Sequence, residues 1–155
     1  VGGCRASIYN GMPIEGGKKL IDVMKIFELE HYKNTPTSEL PLGFKQRLSL
    51  SCALIHQPPI LFLDEPTSGV DVIQRREFWN HIKELSNIGV SILVTTHFMD
   101  EAEYCDRIMI QDQGRMLILG TPQSVRQQGG GSETMNEAFI AIVEQNRAAA
   151  AGAKQ

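Results

Sequence analysis

The stretch ILFLDEPTSGVD, residues 60–71, decides the fold prediction for this chain. Its first four residues form an unbroken apolar run, which is typical of a parallel strand that is buried on both faces. Asp64 and Glu65 follow the run directly. The sequence therefore predicts a buried strand whose carboxyl end carries two carboxylates.

The residues after this strand predict a helix and a second strand. Asp71 and Gln74 have the spacing of a capping box, and Gly89 is placed to end the helix. A second apolar run, residues 90–94, leads into Thr95-Thr96-His97. Alternating strands and helices predict an α/β layer with parallel strands and right-handed crossovers. The apolar face of the helix is predicted to contain Phe78, Ile82 and Leu85.

Upstream, residues 43–56 form a predicted helix that begins within LPLGFKQR. A helix start carries partial positive charge, which disfavours the cations Lys45 and Arg47 in the first turns unless an anion binds there. The sequence therefore raises the question of which anion binds at this helix start. The alternative is two exposed cations at a small energetic cost. The predicted apolar face contains Phe44, Leu48, Cys52 and Ile55. An earlier helix is predicted over residues 17–30.

Downstream, residues 107–119 predict a hairpin, and Thr121-Pro122 predicts a helix start. The run GGGS at residues 129–132 is interpreted as flexible. Thr134 and Glu137 form a second predicted capping box for a last amphipathic helix. Residues 147–155 are predicted to fray.

Composition excludes several classes of function. The chain has 155 residues, 42% hydrophobic content and a net charge of -3, so no global basic field indicates nucleic-acid binding. The longest apolar runs are far shorter than the roughly 20 residues of a membrane span. The three cysteines, Cys4, Cys52 and Cys105, contain no CxxC pair and indicate reduced thiols in a cytosolic compartment.

Ligands of open parallel sheets bind beyond the carboxyl ends of the strands, which makes Asp64, Glu65 and His97 the first candidates for chemistry. One carboxylate could hold the water shell of Mg²⁺, and its neighbour could deprotonate an attacking water. The histidine could contact a terminal phosphate. The alternatives are a solvated turn for the carboxylates and a structural role for His97.

Four motifs together resemble the ATP-binding domain of ABC transporters. The stretches FMDEAEYCDRI and GRMLILGTP most resemble the ATPase subunits of drug exporters of the daunorubicin-resistance type. ILFLDE resembles the Walker B strand, TSGVD the D-loop, TTHFMDEAEYCDRI the switch-histidine region and LPLGFKQR a degenerate signature motif. The resemblance runs from about Lys18 to Pro122. It implies an α/β fold, a partial P-loop NTPase core with a helical signature subdomain, parallel strands and a C-terminal hairpin and helices. The expected segments are 1–57 for the signature subdomain, 58–128 for the core and 129–155 for the last helix and tail.

The resemblance also implies roles for single residues. Asp64 would hold Mg²⁺ through water, Glu65 would be the general base and His97 would contact the γ-phosphate of ATP. Asp71 would lie at a dimer interface, where it could also be a plain helix cap. The residues that would face the ATP of the opposite subunit, and so supply the anion for the helix start, are Pro41, Leu42, Gly43 and Phe44.

The chain departs from the family at two places. Pro41, Leu42 and Phe44 replace the serine, first glycine and glutamine of the signature, and proline can donate no hydrogen bond. No stretch of residues 1–155 matches the phosphate loop GxxxxGKS/T. Without the strands that this half of the fold supplies, we expect exposed apolar faces and a marginal or self-associating chain.

Two functions follow, with a third that is weaker. The first is part of an ATP-hydrolysing subunit of an export transporter, at the cytoplasmic face of the inner membrane, with a second ATP-binding domain and a transmembrane permease subunit as partners and no membrane span of its own. The second is a non-catalytic interaction module that docks on transporter partners. The third treats His97, Asp100 and Glu101 as metal ligands of a hydrolase.

Overall fold

A computed structural model describes residues 22–152 of the chain. The chain divides into two compact units between Thr95 and Thr96. This division differs from the predicted segment boundaries after residues 57 and 128, which stay a prediction.

The described part of the first unit begins with helical residues 22–26, followed by two short 3₁₀ turns, Glu30–Tyr32 and Thr37–Glu39. The helix predicted over residues 17–30 ends earlier than expected, because Glu28 takes a left-handed backbone conformation with φ of 57°. Its part before residue 22 lies outside the described residues. The regular elements that follow are α1 (Leu42–Leu54), β1 (Ile60–Asp64), α2 (Val72–Asn87) and β2 (Ser91–Thr95).

Helix α2 confirms the predicted cap at Asp71, the predicted end and the buried face, whereas the Gln74 side-chain oxygen does not complete the predicted capping box. The Asp71 carboxylate accepts hydrogen bonds from the backbone N–H groups of Ile73 and Gln74, both at 3.1 Å, as an N-cap does. Gly89 has φ of 97° and follows the helix end. The buried side chains are Phe78, Trp79, Ile82 and Leu85.

Strands β1 and β2 pair in parallel, with Asp64 opposite Thr95. Within the described residues they form a two-stranded sheet. The predicted burial of β1 on both faces is wrong for this chain, because no described element covers one side of the sheet. Its exposed apolar side chains are Ile60 at 52%, Phe62 at 72% and Leu93 at 56%.

The buried face of α1 is not the predicted one. The predicted side chains are only half-buried, whereas an adjacent stripe with spacings of three, one and three residues is enclosed. That stripe includes a charged residue, which is why apolar periodicity did not find it. Its members are Arg47, Leu50, Ser51 and Leu54.

Arg47 is the charged member of this stripe, and only 2% of its surface is exposed. Its guanidinium donates to the carboxylates of Glu77 on α2 and of Glu28, the latter at 3.4 Å. It also lies over the ring of Phe44, 5.1 Å from the centroid. A buried cation is tolerated when it is paired in this way. The expectation of an exposed cation at this position is therefore wrong.

The second unit contains a 3₁₀ turn, an antiparallel hairpin and two helices. These elements are Met99–Tyr104, β3 (Ile108–Asp112), β4 (Arg115–Gly120), α3 (Pro122–Gln128) and α4 (Met135–Gly152). The hairpin and both helix starts were predicted. Thr121 caps α3, and Thr134 and Glu137 exchange two hydrogen bonds of 3.3 Å at the start of α4. The core consists of Ala102, Ile110, Ile118, Val125, Met135, Ile142 and Val143.

The GGGS run, residues 129–132, is packed at one end only. Gly129 is buried against Ala138, where an added Cβ would lie 2.6 Å from the Ala138 Cα, and the Ser132 hydroxyl donates to the Gly129 carbonyl at 2.8 Å. Gly130 and Gly131 are exposed with no atom within 4 Å of a Cβ position, so the flexibility of the run stays a prediction.

The predicted fraying of residues 147–155 is wrong for residues 147–152, which continue α4, where Arg147 binds both carboxylate oxygens of Asp112 at 2.9 Å. Residues 153–155 lie outside the described residues.

No helix among residues 22–152 combines the length and the apolar character that crossing a bilayer requires.

The Arg47 contacts predict that two carboxylates on α2, when each is neutralised separately, contribute unequally to stability. Glu77→Gln should lower the free energy of unfolding by about 3 kcal/mol, because it leaves a buried guanidinium with one more distant carboxylate. Urea unfolding followed by circular dichroism measures the difference. Glu84→Gln is the control, since Glu84 is exposed and should change stability by no more than about 0.5 kcal/mol. Equal effects of the two variants would contradict the pairing.

The Asp112–Arg147 pair predicts a pH dependence. The hydrogen bonds from Arg147 lower the pKa of Asp112 below its ordinary value of 3.8. A carboxyl with a lowered folded-state pKa stabilises the fold fully above the unfolded pKa, and this contribution is lost as pH falls through the folded pKa. The difference in Tm between the wild type and Asp112→Asn should therefore be constant at neutral pH and shrink below about pH 4.

Thermal unfolding from pH 7 to pH 2 tests this dependence. Arg147→Gln should give the same profile, and the double variant should add little to either single one, because both remove one interaction. Additive effects, or a difference that persists at the lowest pH, would exclude the pair as the source.

Candidate functional site at the carboxyl end of the parallel strands

The site is organised around Thr95, the last residue of β2. Parallel pairing places Thr95 opposite Asp64, the last residue of β1. The Thr95 hydroxyl donates a hydrogen bond to the Asp64 Oδ1 atom and accepts one from the Glu65 backbone N–H at 3.2 Å. One hydroxyl therefore holds both acidic residues at the strand end.

Glu65 leaves the strand in an unusual backbone conformation. Its φ is 42°, in the left-handed region that non-glycine residues seldom adopt. The backbone N–H of Glu65 also donates to the Thr95 carbonyl at 3.0 Å, which extends the strand pairing by one residue. Strained conformations of this kind persist when surrounding hydrogen bonds determine them, and they concentrate at functional sites.

The acidic pair has the chemistry that a hydrated magnesium ion needs. Asp64 and Glu65 are both exposed, and the Asp64 Oδ2 atom lies beside the oxygen that Thr95 engages. Oxygen ligands suit Mg²⁺, which keeps several waters and binds through one or two carboxylates. The residues present therefore fit a magnesium ion held through water.

A groove of about 220 Å³ lies beside Asp64, between α1 and β1. Asp64 is the charged side chain among its lining residues. The other lining residues are Gln46, Ser49, Leu50, Ala53, Phe62, Leu63, Pro66 and Phe78.

The start of α1 contains the four residues that were predicted to face nucleotide. Pro41 is the N-cap residue without a side-chain cap, and Leu42 is exposed at 44%. Phe44 packs against Tyr32 with ring centroids 4.5 Å apart. Gly43 is buried because the side chain of Gln74 occupies the place where a Cβ would lie.

The two cations near this helix start have protein partners. Lys45 donates from Nζ to the Ser38 carbonyl at 3.0 Å, and Arg47 is held by the carboxylates described above. These contacts supply the anionic partners of Arg47 within the chain. A bound phosphate is not required to account for it.

Asp71 lies at the start of α2, where its carboxylate is engaged as the N-cap. Val72 and Ile73, directly after it, are apolar and exposed at 76% and 73%. The cap role of Asp71 is therefore established by the structure, and an interface role is compatible with the exposed pair beside it.

His97 belongs to the second unit, whereas Asp64 and Glu65 belong to the first. The His97 ring is exposed and lies 4.1 Å from the Phe98 ring, centroid to centroid. The backbone N–H of Phe98 donates to the Thr96 hydroxyl at 3.0 Å. The predicted contact of His97 with a terminal phosphate stays a prediction.

The proposed metal site of His97, Asp100 and Glu101 is not supported. Among residues 22–152, no group of three His, Cys, Asp or Glu side chains is placed to hold a metal ion. Glu101 is 1% exposed, whereas His97 and Asp100 face solvent. The 3₁₀ turn that contains Asp100 and Glu101 separates their side chains in this way.

Thr95 is the site residue that the sequence analysis missed as a functional group. The available signal was a hydroxyl at the end of one predicted parallel strand, opposite the carboxylate that follows the other predicted strand. Strand lengths alone could have aligned Thr95 with Asp64, because parallel neighbours end at the same edge.

Comparison with known proteins identifies a matching family model and similar proteins from several organisms. A family model described as "AAA domain, putative AbiEii toxin, Type IV TA system" matches residues 7–98. The probable multidrug ABC transporter ATP-binding protein YbhF of Escherichia coli is 51% identical over 130 residues, which cover 81% of this chain and 22% of that protein. The Nod factor export ATP-binding protein I of Burkholderia orbicola is 38% identical, over 77% of this chain and 40% of that protein.

Solved structures give the same result. An ATP-binding subunit of an ABC transporter superposes with a TM-score of 0.69 at 28% identity, over 87% of this chain and 57% of that one. The cbiO1 protein of Clostridium perfringens, part of the ABC transporter complex cbiONQ, superposes with a TM-score of 0.67 at 27% identity, over 79% of this chain and 53% of that one.

The chain spans less than two thirds of each of these relatives, from 22% of YbhF to 57% of the solved ATP-binding subunit. The relatives and the solved structure are described as ATP-binding proteins of transporters. The chain shares with them the α/β fold of P-loop NTPases. The chain belongs to the ATP-binding domain family of ABC transporters and covers part of that domain.

Proposed function

We propose that the chain is part of an ATP-hydrolysing subunit that powers an ABC-type export transporter. The observation that carries the proposal is the arrangement of Asp64, Glu65 and Thr95 at the carboxyl end of the parallel strands. Family membership supports it, because relatives with 51% and 38% identity are described as ATP-binding proteins of multidrug and Nod factor export.

In this proposal, the two carboxylates divide the work. Asp64 holds a water-coordinated Mg²⁺, with its side chain oriented by the Thr95 hydroxyl. The magnesium ion supplies charge stabilisation for the phosphates when it is bound. Glu65 accepts a proton from the attacking water, for which its exposed carboxylate is accessible.

The remaining site residues have roles around the nucleotide. His97 contacts the γ-phosphate, and Asp71 lies at the interface with a second ATP-binding domain, beside the exposed Val72 and Ile73. The residues at the start of α1 that face the nucleotide of that second domain are Pro41, Leu42, Gly43 and Phe44.

The partners follow from the same reasoning. They are a second ATP-binding domain and a transmembrane permease subunit, so the protein acts at the cytoplasmic face of the inner membrane.

A second candidate function, a docking module without turnover, is favoured by one observation. Pro41 caps α1 without a side-chain or backbone donor, where a serine would offer both.

The general-base role predicts the behaviour of Glu65→Gln. With the chain joined to the phosphate-loop half of a relative, this variant should lower kcat for Mg-ATP hydrolysis at least about 100-fold, because a general base contributes two to four orders of magnitude. Phosphate release measures turnover, and calorimetric titration measures ATP affinity, which should stay within about threefold since the amide keeps the shape.

Glu84→Gln, on an exposed carboxylate of α2, is the matched control and should leave kcat unchanged. Robust hydrolysis by Glu65→Gln would remove Glu65 from its role. Absence of turnover in the wild-type protein, with ATP bound, would favour the docking module instead.

The position of Thr95 predicts a magnesium-dependent defect. Thr95→Val keeps the shape and removes the hydroxyl that orients Asp64, so the Mg²⁺ concentration for half-maximal hydrolysis should rise about tenfold, equivalent to about 1.4 kcal/mol. Thr95→Ser retains the hydroxyl and should restore the wild-type value. A wild-type Mg²⁺ dependence in Thr95→Val would show that Asp64 does not need this contact.

A further inference from the structure

Two segments of the first unit meet at two glycines. One is the signature-like turn, residues 41–44, and the other is the D-loop-like segment, residues 67–71. A Cβ added to Gly69 would lie 3.0 Å from the Leu42 Cδ2 atom. A Cβ added to Gly43 would lie 1.7 Å from the Gln74 Oε1 atom and 2.8 Å from its Cδ. Gly69 therefore lies against the signature-like turn, and Gly43 lies against Gln74 in the first turn of α2. At either glycine, a methyl group would require the neighbouring side chain to shift.

Gln74 contacts both segments, Asp71 through its backbone and Gly43 through its side chain. Its backbone N–H donates to the Asp71 carboxylate at 3.1 Å, as part of the α2 cap. Its side-chain carbonyl oxygen is buried against Gly43 and has no hydrogen-bond partner within the described part of the chain. A buried carbonyl oxygen without a partner is unfavourable, and the packing against Gly43 is the contact that this oxygen makes.

The backbone of Gly43 does not require glycine. It lies in α1, and positive φ values among the glycines belong to other positions, including Gly69 at 75°. Alanine is the better helix former, so Gly43→Ala by itself should stabilise α1. The glycine is therefore explained by the space that Gln74 occupies.

We infer that Gln74 is a positioning residue that sets the signature-like turn relative to Asp71, so that the two nucleotide-facing segments move as one body. The consequence for turnover rests on the proposed function. The contact itself does not, since it is a property of the folded first unit. A shift of Gln74 would displace residues 41–44 from the nucleotide of the second ATP-binding domain without touching Asp64 or Glu65.

A double-mutant cycle tests the contact by thermal and urea unfolding of wild type, Gly43→Ala, Gln74→Ala and the double variant. In the wild-type background, Gly43→Ala should destabilise the native state and raise the unfolding equilibrium constant about tenfold. In the Gln74→Ala background the sign should reverse, and alanine should be neutral or stabilising. Gly152→Ala is the control, because no atom lies within 4 Å of its Cβ position, and its effect should be the same in both backgrounds.

The same four proteins, joined to a phosphate-loop half, test positioning. Gly43→Ala should lower kcat for ATP hydrolysis about tenfold with KM for ATP within about threefold, and the double variant should recover to the level of Gln74→Ala. Equal effects of Gly43→Ala in both backgrounds would overturn the contact. A coupled unfolding cycle with unchanged kcat in every variant would overturn the positioning role. Absence of hydrolysis in the wild type, with the unfolding cycle still coupled, would refute the proposed function and leave the contact intact.

Discussion

The buried guanidinium of Arg47 is the constraint on which the first unit depends. A charge that is 2% exposed is unfavourable unless it is paired, and Arg47 meets this condition with carboxylates from two different parts of the chain, Glu28 and Glu77. The side chain starts on α1, so satisfying it fixes α1 against α2. The stacking of Arg47 on Phe44 carries the same constraint to the first turn of α1. The geometry of the signature-like turn is thus set by electrostatics several residues away.

The acidic site depends on a second constraint, the register of two parallel strands. Because β1 and β2 end at the same depth, Thr95 lies opposite Asp64 and can bind its carboxylate while accepting from the Glu65 amide. A register shift of one residue would move Thr95 to the other face of the sheet and remove both contacts. The strained φ of Glu65 is stabilised by the same two strands, since its amide also bonds to the Thr95 carbonyl. The apolar run of β1 therefore determines the geometry of polar groups beyond its end.

The sequence predicted the elements whose signal is local. Both strands, the hairpin and the caps at Asp71, Thr121 and Thr134 depend on residues within a few positions of each other, and the structure confirms them. The failures have a non-local cause. The buried stripe of α1 contains Arg47, whose burial depends on Glu77, 30 residues away. Residues 147–152 of α4 gain a contact with Asp112 that lies 35 residues upstream, which composition alone could not indicate.

The substitutions in the signature-like turn make physical sense as packing within the chain. Leu42, at the place of a family glycine, contacts Gly69, and Phe44, at the place of the glutamine, packs between Tyr32 and Arg47. Each of these two residues is an apolar side chain that packs within the first unit, at a position where the family has a small or polar residue. Pro41 removes a backbone donor from the same turn. The substitutions therefore leave fewer hydrogen-bond donors at the start of α1 and add side chains that hold this turn against the rest of the first unit.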